Sequence, residues 1–250
     1  MFEDLSHPII FAHRGASTQA PENTLASFGL ALSQGADSIE LDARLSADGQ
    51  VVVIHDPTVD RTTNGHGRVA ELTLAELRSL DAGSFFSEKY HAEKIPLLEE
   101  VFEAVGKKML INVELKNFTS PGDQLVEKVC ALVKKHGLEK RIIFSSFLAS
   151  NLKNAKRFLP EVPRGLLAVS GWKGAWARSF GFSFEDYAAL HPYLADVTKQ
   201  QILRVHRLKR RVHVWTVNRA KDMLQLKNWG VDGIYTDDPQ LALRSLSREL

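Results

Sequence analysis

The sequence predicts an α/β protein, a (β/α)8 TIM barrel with a small inserted subdomain after the second strand. Three observations lead to this fold class. Short apolar runs recur along the 250 residues, longer helical patterns lie between most of them, and one Asp-Gly turn accounts for the single run in excess of eight. The composition, 44% hydrophobic and 25% charged, is that of an ordinary globular protein and suits one catalytic domain over residues 1–250.

Nine runs have the length and composition of strands. Most are rich in β-branched or aromatic residues and too short for helices. Because helical patterns alternate with them, we expect parallel strands joined by crossover helices. The runs span residues 9–15, 38–44, 51–56, 110–116, 142–147, 165–170, 188–192, 212–218 and 233–237.

The helices are predicted from apolar spacing and from their ends. Apolar residues within 123–137 recur on one helical face. A separate helical pattern over 148–159 ends at Pro160. Pro21 suits the first turn of the first crossover helix, with Asn23 or Thr24 as its cap. The predicted helices cover 23–35, 96–105, 123–137, 148–159, 199–210, 220–229 and 238 to the end, with a short one after the Thr73–Glu76 capping box.

The extra run is explained by a hairpin. Asp48-Gly49 lies between two strand-like arms, which is a strong hairpin signal. With those two residues as the turn, Ala47 pairs with Gln50 and Asp42 pairs with His55. The run 51–56 then folds back antiparallel, eight parallel strands remain, and residues 46–95 form a hairpin and helix subdomain over the barrel mouth.

Composition excludes several classes of protein. A net charge of +2 provides no broad cationic field for nucleic acid. Cys130 is the only cysteine, which excludes a disulfide framework and a cysteine-based zinc site. No apolar run approaches the roughly 20 residues that span a bilayer, and the first ten residues lack an export signal. We expect a cytoplasmic protein without stable membrane insertion. Residues 171–180, with two tryptophans and two cations, are the one stretch that could touch a membrane, but we expect them to form a buried helix or a cleft loop instead.

Three carboxylates are candidate metal ligands. Glu40 and Asp42 are two apart on a strand and face the barrel interior, and Glu114 lies at the end of the next parallel strand. Carboxylates that repel one another in an interior favour a bound cation, and their oxygens suit one Mg²⁺ or Ca²⁺. The alternative is a set of solvated acids neutralised by Arg44 and Lys116.

Two histidines and two cations occupy the same predicted end of the barrel. His13 ends the first strand and His55 ends the hairpin arm, as an acid–base pair requires. Arg14 and Lys116 are placed to bind the non-bridging oxygens of a phosphate. Each could instead be structural, and Trp215 could wall a cleft or pack in the core. Together these groups fit attack at phosphorus in a phosphodiester.

The segments that carry these residues resemble one family. AHRGASTQAPENT, IELDARLSADGQVVVIHDPTVDRTTNGHGRV, NVELK, VWTVN and GVDGIYTD are together similar to glycerophosphodiester phosphodiesterases, over residues 10 to about 240. The resemblance implies a phospholipase-C-like barrel with a small inserted domain. It also implies metal-dependent hydrolysis of glycerophosphodiesters, such as glycerophosphocholine or glycerophosphoethanolamine, to sn-glycerol 3-phosphate and an alcohol.

The resemblance also implies residue roles. His13 and His55 match the acid–base histidines, and Arg14 and Lys116 match the phosphate-binding cations. The metal-binding carboxylates of the family match Glu40, Asp42 and Glu114.

Rival functions on the same barrel are a sphingomyelinase D-like or phosphoinositide-cleaving enzyme, a non-catalytic barrel that binds a phosphorylated ligand, and a metal-dependent sugar isomerase. A pure binder has no use for two histidines around a metal, and the later strands lack the extra carboxylates of an isomerase. We expect a small-molecule glycerophosphodiester as the partner rather than nucleic acid.

Overall fold

A computed structural model describes residues 8–118, 120 and 122–247. Within them, eight parallel strands form a closed barrel, because the first strand pairs with both the second and the last. The predicted TIM barrel is therefore confirmed. Its strands are β1 (Ile9–His13), β2 (Ser38–Leu45), β4 (Leu110–Leu115), β5 (Ile142–Ser146), β6 (Arg164–Ala168), β7 (Ala189–Pro192), β8 (Arg211–Val214) and β9 (Gly233–Thr236), and β3 (Val51–Val53) pairs antiparallel to β2.

The helices lie where the sequence predicts them, with small differences at their ends. The first begins at Leu25 because Thr24 is its N-cap, so Pro21 lies outside the first turn. The last ends at Ser245 rather than continuing to the chain end, of which 248–250 lie outside the described residues. The helices are α1 (Leu25–Ser33), α2 (Leu74–Ser79), α3 (Leu98–Val105), α4 (Leu125–Lys135), α5 (Ala149–Phe158), α6 (Phe182–Phe184), α7 (Lys199–Arg207), α8 (Ala220–Trp229) and α9 (Pro239–Ser245).

The connection between β6 and β7 departs from the expectation. It contains a short 3-10 helix (Trp172–Gly174), a π-helix (Ala177–Gly181) and then α6. The expectation that residues 171–180 form a buried helix or a cleft loop is wrong, because the side chains of Trp172 and Trp176 are 84% and 64% exposed.

The hairpin of β2 and β3 is confirmed, but its predicted register is wrong by one residue. Leu45 pairs with Val51, and the Ile54 amide donates to the Asp42 carbonyl. The loop therefore holds three residues, 47–49, and Gly49 takes a left-handed φ of 74° that suits this longer loop. His55 consequently lies beyond the paired strand, and Ile54 opposes Asp42.

Apolar side chains form three separate clusters. The largest fills the layer between the barrel and its helices. A second lies inside the barrel and includes Phe11 and Tyr235. A third belongs to the segment that follows β2, and it supports the proposal that 46–95 form a small inserted subdomain. The buried members of the third cluster are Val52, Ile54, Val59, Val69, Leu77, Ala82 and Ile95.

His191 lies fully buried inside the barrel. Its Nδ1 is 3.1 Å from the Tyr235 hydroxyl, and its Nε2 is 3.2 Å from His213 Nδ1. Burial disfavours the imidazolium and lowers the pKa of His191 to about 3. A neutral His191 therefore contributes to packing of the barrel interior.

This burial predicts a pH dependence of stability. Below the unfolded-state pKa of about 6.5, His191 binds a proton in the unfolded chain but stays neutral in the folded protein. The free energy of unfolding therefore falls as pH falls. We expect the wild type to lose about 2 kcal/mol more than His191→Gln between pH 7 and pH 5, from roughly 1.4 kcal/mol per pKa unit. Urea unfolding at both pH values measures this. Equal losses in the two proteins would contradict the prediction.

Candidate active site

The carboxyl ends of the barrel strands surround a cleft of about 200 Å³. Parallel strands end at one face of the barrel, so side chains from distant parts of the chain meet there. Seven of the eight predicted site residues line this cleft, and Asp42 lies directly beneath it, in ion-pair contact with Arg14 and Lys116. The lining residues are His13, Arg14, Glu40, His55, Asn112, Glu114, Lys116, Ser145, Phe147, Leu167, Trp215 and Tyr235.

The three predicted metal ligands form one buried cluster. One oxygen from each of Glu40, Asp42 and Glu114 lies within 4.8 Å of the others. Burial, followed by the charges of Asp42 and Glu114, raises the pKa of Glu40 well above its ordinary value. Burial likewise raises the pKa of Glu114, although the Lys116 ammonium opposes this. Without a further cation, burial and mutual repulsion make it unfavourable for all three carboxylates to be ionised.

Asp42 is the member of the cluster that stays ionised. Burial alone would raise the pKa of Asp42, but Lys116 and Arg14 hold it far below its usual range. Lys116 Nζ is 3.3 Å from Oδ1, Arg14 Nε is 3.5 Å from Oδ2, and Asn23 Nδ2 donates to Oδ2 at 2.8 Å. Among the described residues, none donates a hydrogen bond to Oδ1. Oδ1 thus has Lys116 as an ion-pair partner but accepts no hydrogen bond, and an ionised, buried carboxylate oxygen of this kind is a suitable ligand for a hard cation.

A second acidic cluster is less suited to a metal ion. It consists of Glu99 and Glu103 on α3 with His136, and it lies nearer the surface. Glu99 Oε1 already lies 2.6 Å from Lys135 Nζ and 2.9 Å from His136 Nε2. Its charge is therefore compensated by the Lys135 ammonium, and the buried cluster at the mouth is the better candidate.

His13 is held by a carboxylate that the sequence analysis did not single out. Its Nδ1 is 2.6 Å from Asp237 Oδ1, and its Nε2 is 4.0 Å from Glu40 Oε2. Asp237 follows β9 and is held by Asn218, which donates to Oδ2 and accepts from the Asp237 amide. With Nδ1 bound to Asp237, Nε2 is the nitrogen that faces the cleft.

His55 is held in the same way by its neighbour in sequence. Its Nδ1 is 2.6 Å from Asp56 Oδ1. Burial lowers the pKa of His55, and the charge of Asp42 opposes this. Arg44, which the alternative interpretation made a neutraliser of the acids, donates to the His55 carbonyl at 2.7 and 3.0 Å. It positions the loop that carries His55.

Arg14 joins the barrel to the inserted segment through acidic partners. Its amide donates to Glu40 Oε2 at 3.1 Å, and Nη1 donates to Glu22 at 2.8 Å. Arg61, from the inserted segment, donates to both oxygens of Glu22 and to Asp56. The segment is thereby tied to both histidine-bearing sides of the cleft.

Trp215 combines the two roles that the sequence left open. Its ring lines the cleft at 5.7 Å from Phe147 and 5.2 Å from Tyr193, measured between centroids. Its indole Nε1 donates to the His191 carbonyl at 2.8 Å. The side chain is a cleft wall anchored to the barrel interior.

Sequence reasoning did not find the residues that hold the predicted ones in place. Asp56 and Glu22 stand within quoted motifs beside His55 and Asn23, and Asp237 ends the last strand run. An acidic residue next to a candidate catalytic group was the available signal for Asp56, whereas Glu22 stands beside a predicted helix cap. Asp237 is 224 positions from His13 in the chain, so its role depended on barrel closure.

The fold and the chemistry of its mouth are those of a phosphoric diester hydrolase built on a (β/α)8 barrel. Residues 13–241 match the glycerophosphoryl diester phosphodiesterase family. A glycerophosphodiester phosphodiesterase from Caldanaerobacter subterraneus subsp. tengcongensis is 42% identical, with 93% of this chain and 95% of that protein covered. The chain belongs to the glycerophosphoryl diester phosphodiesterase family.

Solved structures agree with this assignment. A phosphodiesterase from Oleispira antarctica, in complex with the product sn-glycerol-3-phosphate, superposes with a TM-score of 0.89 at 36% identity, covering 96% of this chain and 97% of that one. A glycerophosphodiester phosphodiesterase from Agrobacterium tumefaciens gives a TM-score of 0.81 at 32% identity, covering 94% and 98%. The protein is thus an enzyme, and the binding-only and isomerase alternatives are not favoured. Over the described residues, no helix is both long and apolar enough to cross a bilayer.

The acidic cluster predicts cation binding that weakens in acid. Because burial and mutual repulsion raise the pKa of Glu40 and of Glu114, protons compete with a cation as pH falls. We expect Mg²⁺ or Ca²⁺ to raise the melting temperature of chelator-treated protein more at pH 8 than at pH 6. We expect Glu114→Gln to reduce this rise, while Glu99→Gln in the other cluster keeps it. An unchanged rise in Glu114→Gln would remove Glu114 from the ligand set.

Proposed function

We propose that the protein hydrolyses glycerophosphodiesters, such as glycerophosphocholine or glycerophosphoethanolamine, to sn-glycerol 3-phosphate and an alcohol. One divalent cation, Mg²⁺ or Ca²⁺, is held by Glu40, Asp42 and Glu114, and His13 and His55 transfer protons. The observation that carries the proposal is that two histidines, each bound to its own carboxylate, line one cleft with a buried acidic trio. The product bound to the Oleispira antarctica relative supports the substrate class.

Binding of the phosphate uses the cations at the mouth. Arg14 and Lys116 present positive charge beside the acidic cluster, and both side chains are largely buried. An ammonium or guanidinium in such a site binds phosphate oxygens more strongly than in water. The bound cation, when present, acts as a Lewis acid that polarises the phosphoryl group. Trp215 and Phe147 wall the cleft and exclude water from one side.

Proton transfer is divided between the histidines. One histidine accepts the proton of the water that attacks phosphorus, and the other donates a proton to the oxygen of the departing alcohol. Asp237 and Asp56 orient the two rings, because each accepts a hydrogen bond from Nδ1 and directs Nε2 to the cleft. Each carboxylate also stabilises the imidazolium form of its partner.

The first experiment measures glycerol 3-phosphate released from glycerophosphocholine by protein stripped with chelator and resupplied with Mg²⁺ or Ca²⁺ separately. We expect one ion to restore activity.

We expect His13→Ala and His55→Ala each to abolish turnover, because the remaining histidine cannot perform both transfers. His66→Ala is the matched control, since this exposed histidine lies outside the cleft. Wild-type turnover by either cleft variant would reject the pair, and lack of activity in folded protein with both ions would reject the substrate class.

The carboxylate behind His13 has its own test. Asp237→Asn keeps the shape of the side chain but removes its charge, so we expect kcat to fall by roughly 10²-fold or more with little change in KM. Steady-state kinetics over a range of pH check this, because loss of the carboxylate also moves the pH profile. Asp222→Asn, which breaks an ion pair on α8, serves as the control. A wild-type kcat in Asp237→Asn would show that His13 needs no orienting acid.

A further inference from the structure

The connection between β6 and β7 exposes an unusual amount of aromatic surface. The four most exposed large apolar side chains among the described residues lie within residues 172–184. Trp172 and Phe184 are 84% and 82% exposed, and Phe180 and Trp176 are 65% and 64% exposed. The next in rank, Phe118, is only 48% exposed. Such clustering indicates an interaction surface, whereas single exposed apolar residues need no explanation.

This segment is held in place by specific contacts. Arg178 Nη1 donates to the Val169 carbonyl at 2.8 Å, and its Nη2 donates to the Gly171 carbonyl at 2.7 Å. A Cβ on Gly181 would lie 2.2 Å from the Trp176 ring, so the ring lies directly over the backbone there. The outward aromatic side chains are therefore a built feature of the connection.

The neighbouring helices are strongly basic. Residues 147–211 contain twelve Lys and Arg and four Asp and Glu, a net charge of +8 in a chain whose total is +2. Contacts join the segment to its neighbours, since Arg204 of α7 donates to Ser183 at 3.3 Å and Lys156 of α5 lies 2.7 Å from Asp186. We call α5, residues 169–186 and α7 the basic aromatic face. Its exposed cations include Lys153, Lys156, Arg157, Lys173, Lys199, Arg204 and Arg207.

We propose that the basic aromatic face docks the enzyme reversibly on a membrane surface that contains anionic lipid. Tryptophan rings favour the headgroup region, where phenylalanine adds apolar contact. Nearby lysines and arginines are attracted by the negative surface potential. A second copy of this chain is a poorer occupant, because the face itself carries a net charge of +6 and two such faces repel each other.

Docking by this face has a geometric consequence for the cleft. Trp172 follows the end of β6 at Ala168 by four residues, so the face reaches the rim of the barrel mouth. None of the residues of this face lines the cleft that holds the acidic cluster and the two histidines. The docked enzyme would therefore work beside the membrane on small phosphodiesters, and the inference stands independently of the proposed reaction.

The experiment is flotation of the full chain with vesicles of phosphatidylcholine alone or with one third phosphatidylglycerol. We expect the wild type to float only with the anionic vesicles and to be released by high salt. We expect Trp172→Ser with Phe184→Ser, and separately Lys173→Glu with Arg207→Glu, to lower the vesicle partition coefficient roughly tenfold or more. These side chains are exposed, so circular dichroism and activity on soluble substrate should stay at the wild-type level.

Matched controls use exposed residues outside the basic aromatic face. Phe85→Ser removes an aromatic side chain that is 43% exposed, and Lys107→Glu with Lys108→Glu reverses two exposed charges. Both should float as the wild type does. The proposal is overturned if the wild type ignores anionic vesicles, or if the face variants float unchanged. It is also overturned if sedimentation velocity shows a dimer that is lost in Trp172→Ser with Phe184→Ser, because the occupant would then be a second copy.

Discussion

The ionised carboxylate of Asp42, buried under the barrel mouth, is the interaction on which the site depends. Its charge is tolerable only because Lys116, Arg14 and Asn23 converge on it from three segments of the chain. Two of those partners, Arg14 and Lys116, are the cations proposed to bind phosphate, and Asp42 thereby holds them beside the acidic cluster. The same charge raises the pKa of Glu40 and opposes the burial that lowers the pKa of His55. The charge of Asp42 thus affects the pKa values of the neighbouring groups in the site.

A layer of carboxylates around the cleft completes this balance. Asp237 and Asp56 hold the two histidines, and Glu22 connects Arg14 to Arg61 of the inserted segment. Partial burial by itself would raise the pKa of Asp56, but the hydrogen bonds and charges of Arg61 and His55 together lower it to about 2. The inserted segment, with its own small apolar cluster, is therefore electrostatically part of the site.

The proposed hydrolysis and the proposed membrane docking involve different parts of the barrel. In the proposed hydrolysis, the participating residues come from β1, β2 and β4 and the loops beside them, where the acids and histidines meet. The basic aromatic face belongs to the opposite arc of the sheet order, around β6 and β7, and contributes no ligand to the acidic cluster. Because the cleft and the basic aromatic face use different loops and helices, changes in one need not affect the other while the barrel strands stay the same.

Patterns in the sequence were sufficient to predict the helices, the strands and the main chemical groups of the site. Local periodicity, turn residues and caps act over a few positions, which is why the eight barrel strands, the hairpin and Thr24 at a helix start were predictable. Strand alternation alone placed Glu40 and Asp42 on one interior face. Only the tertiary structure decided the hairpin register, the pairing of Asp237 with His13, and the exposure of Trp172 and its neighbours. These depend on contacts between segments distant in the chain, and on which surfaces the closed barrel leaves uncovered.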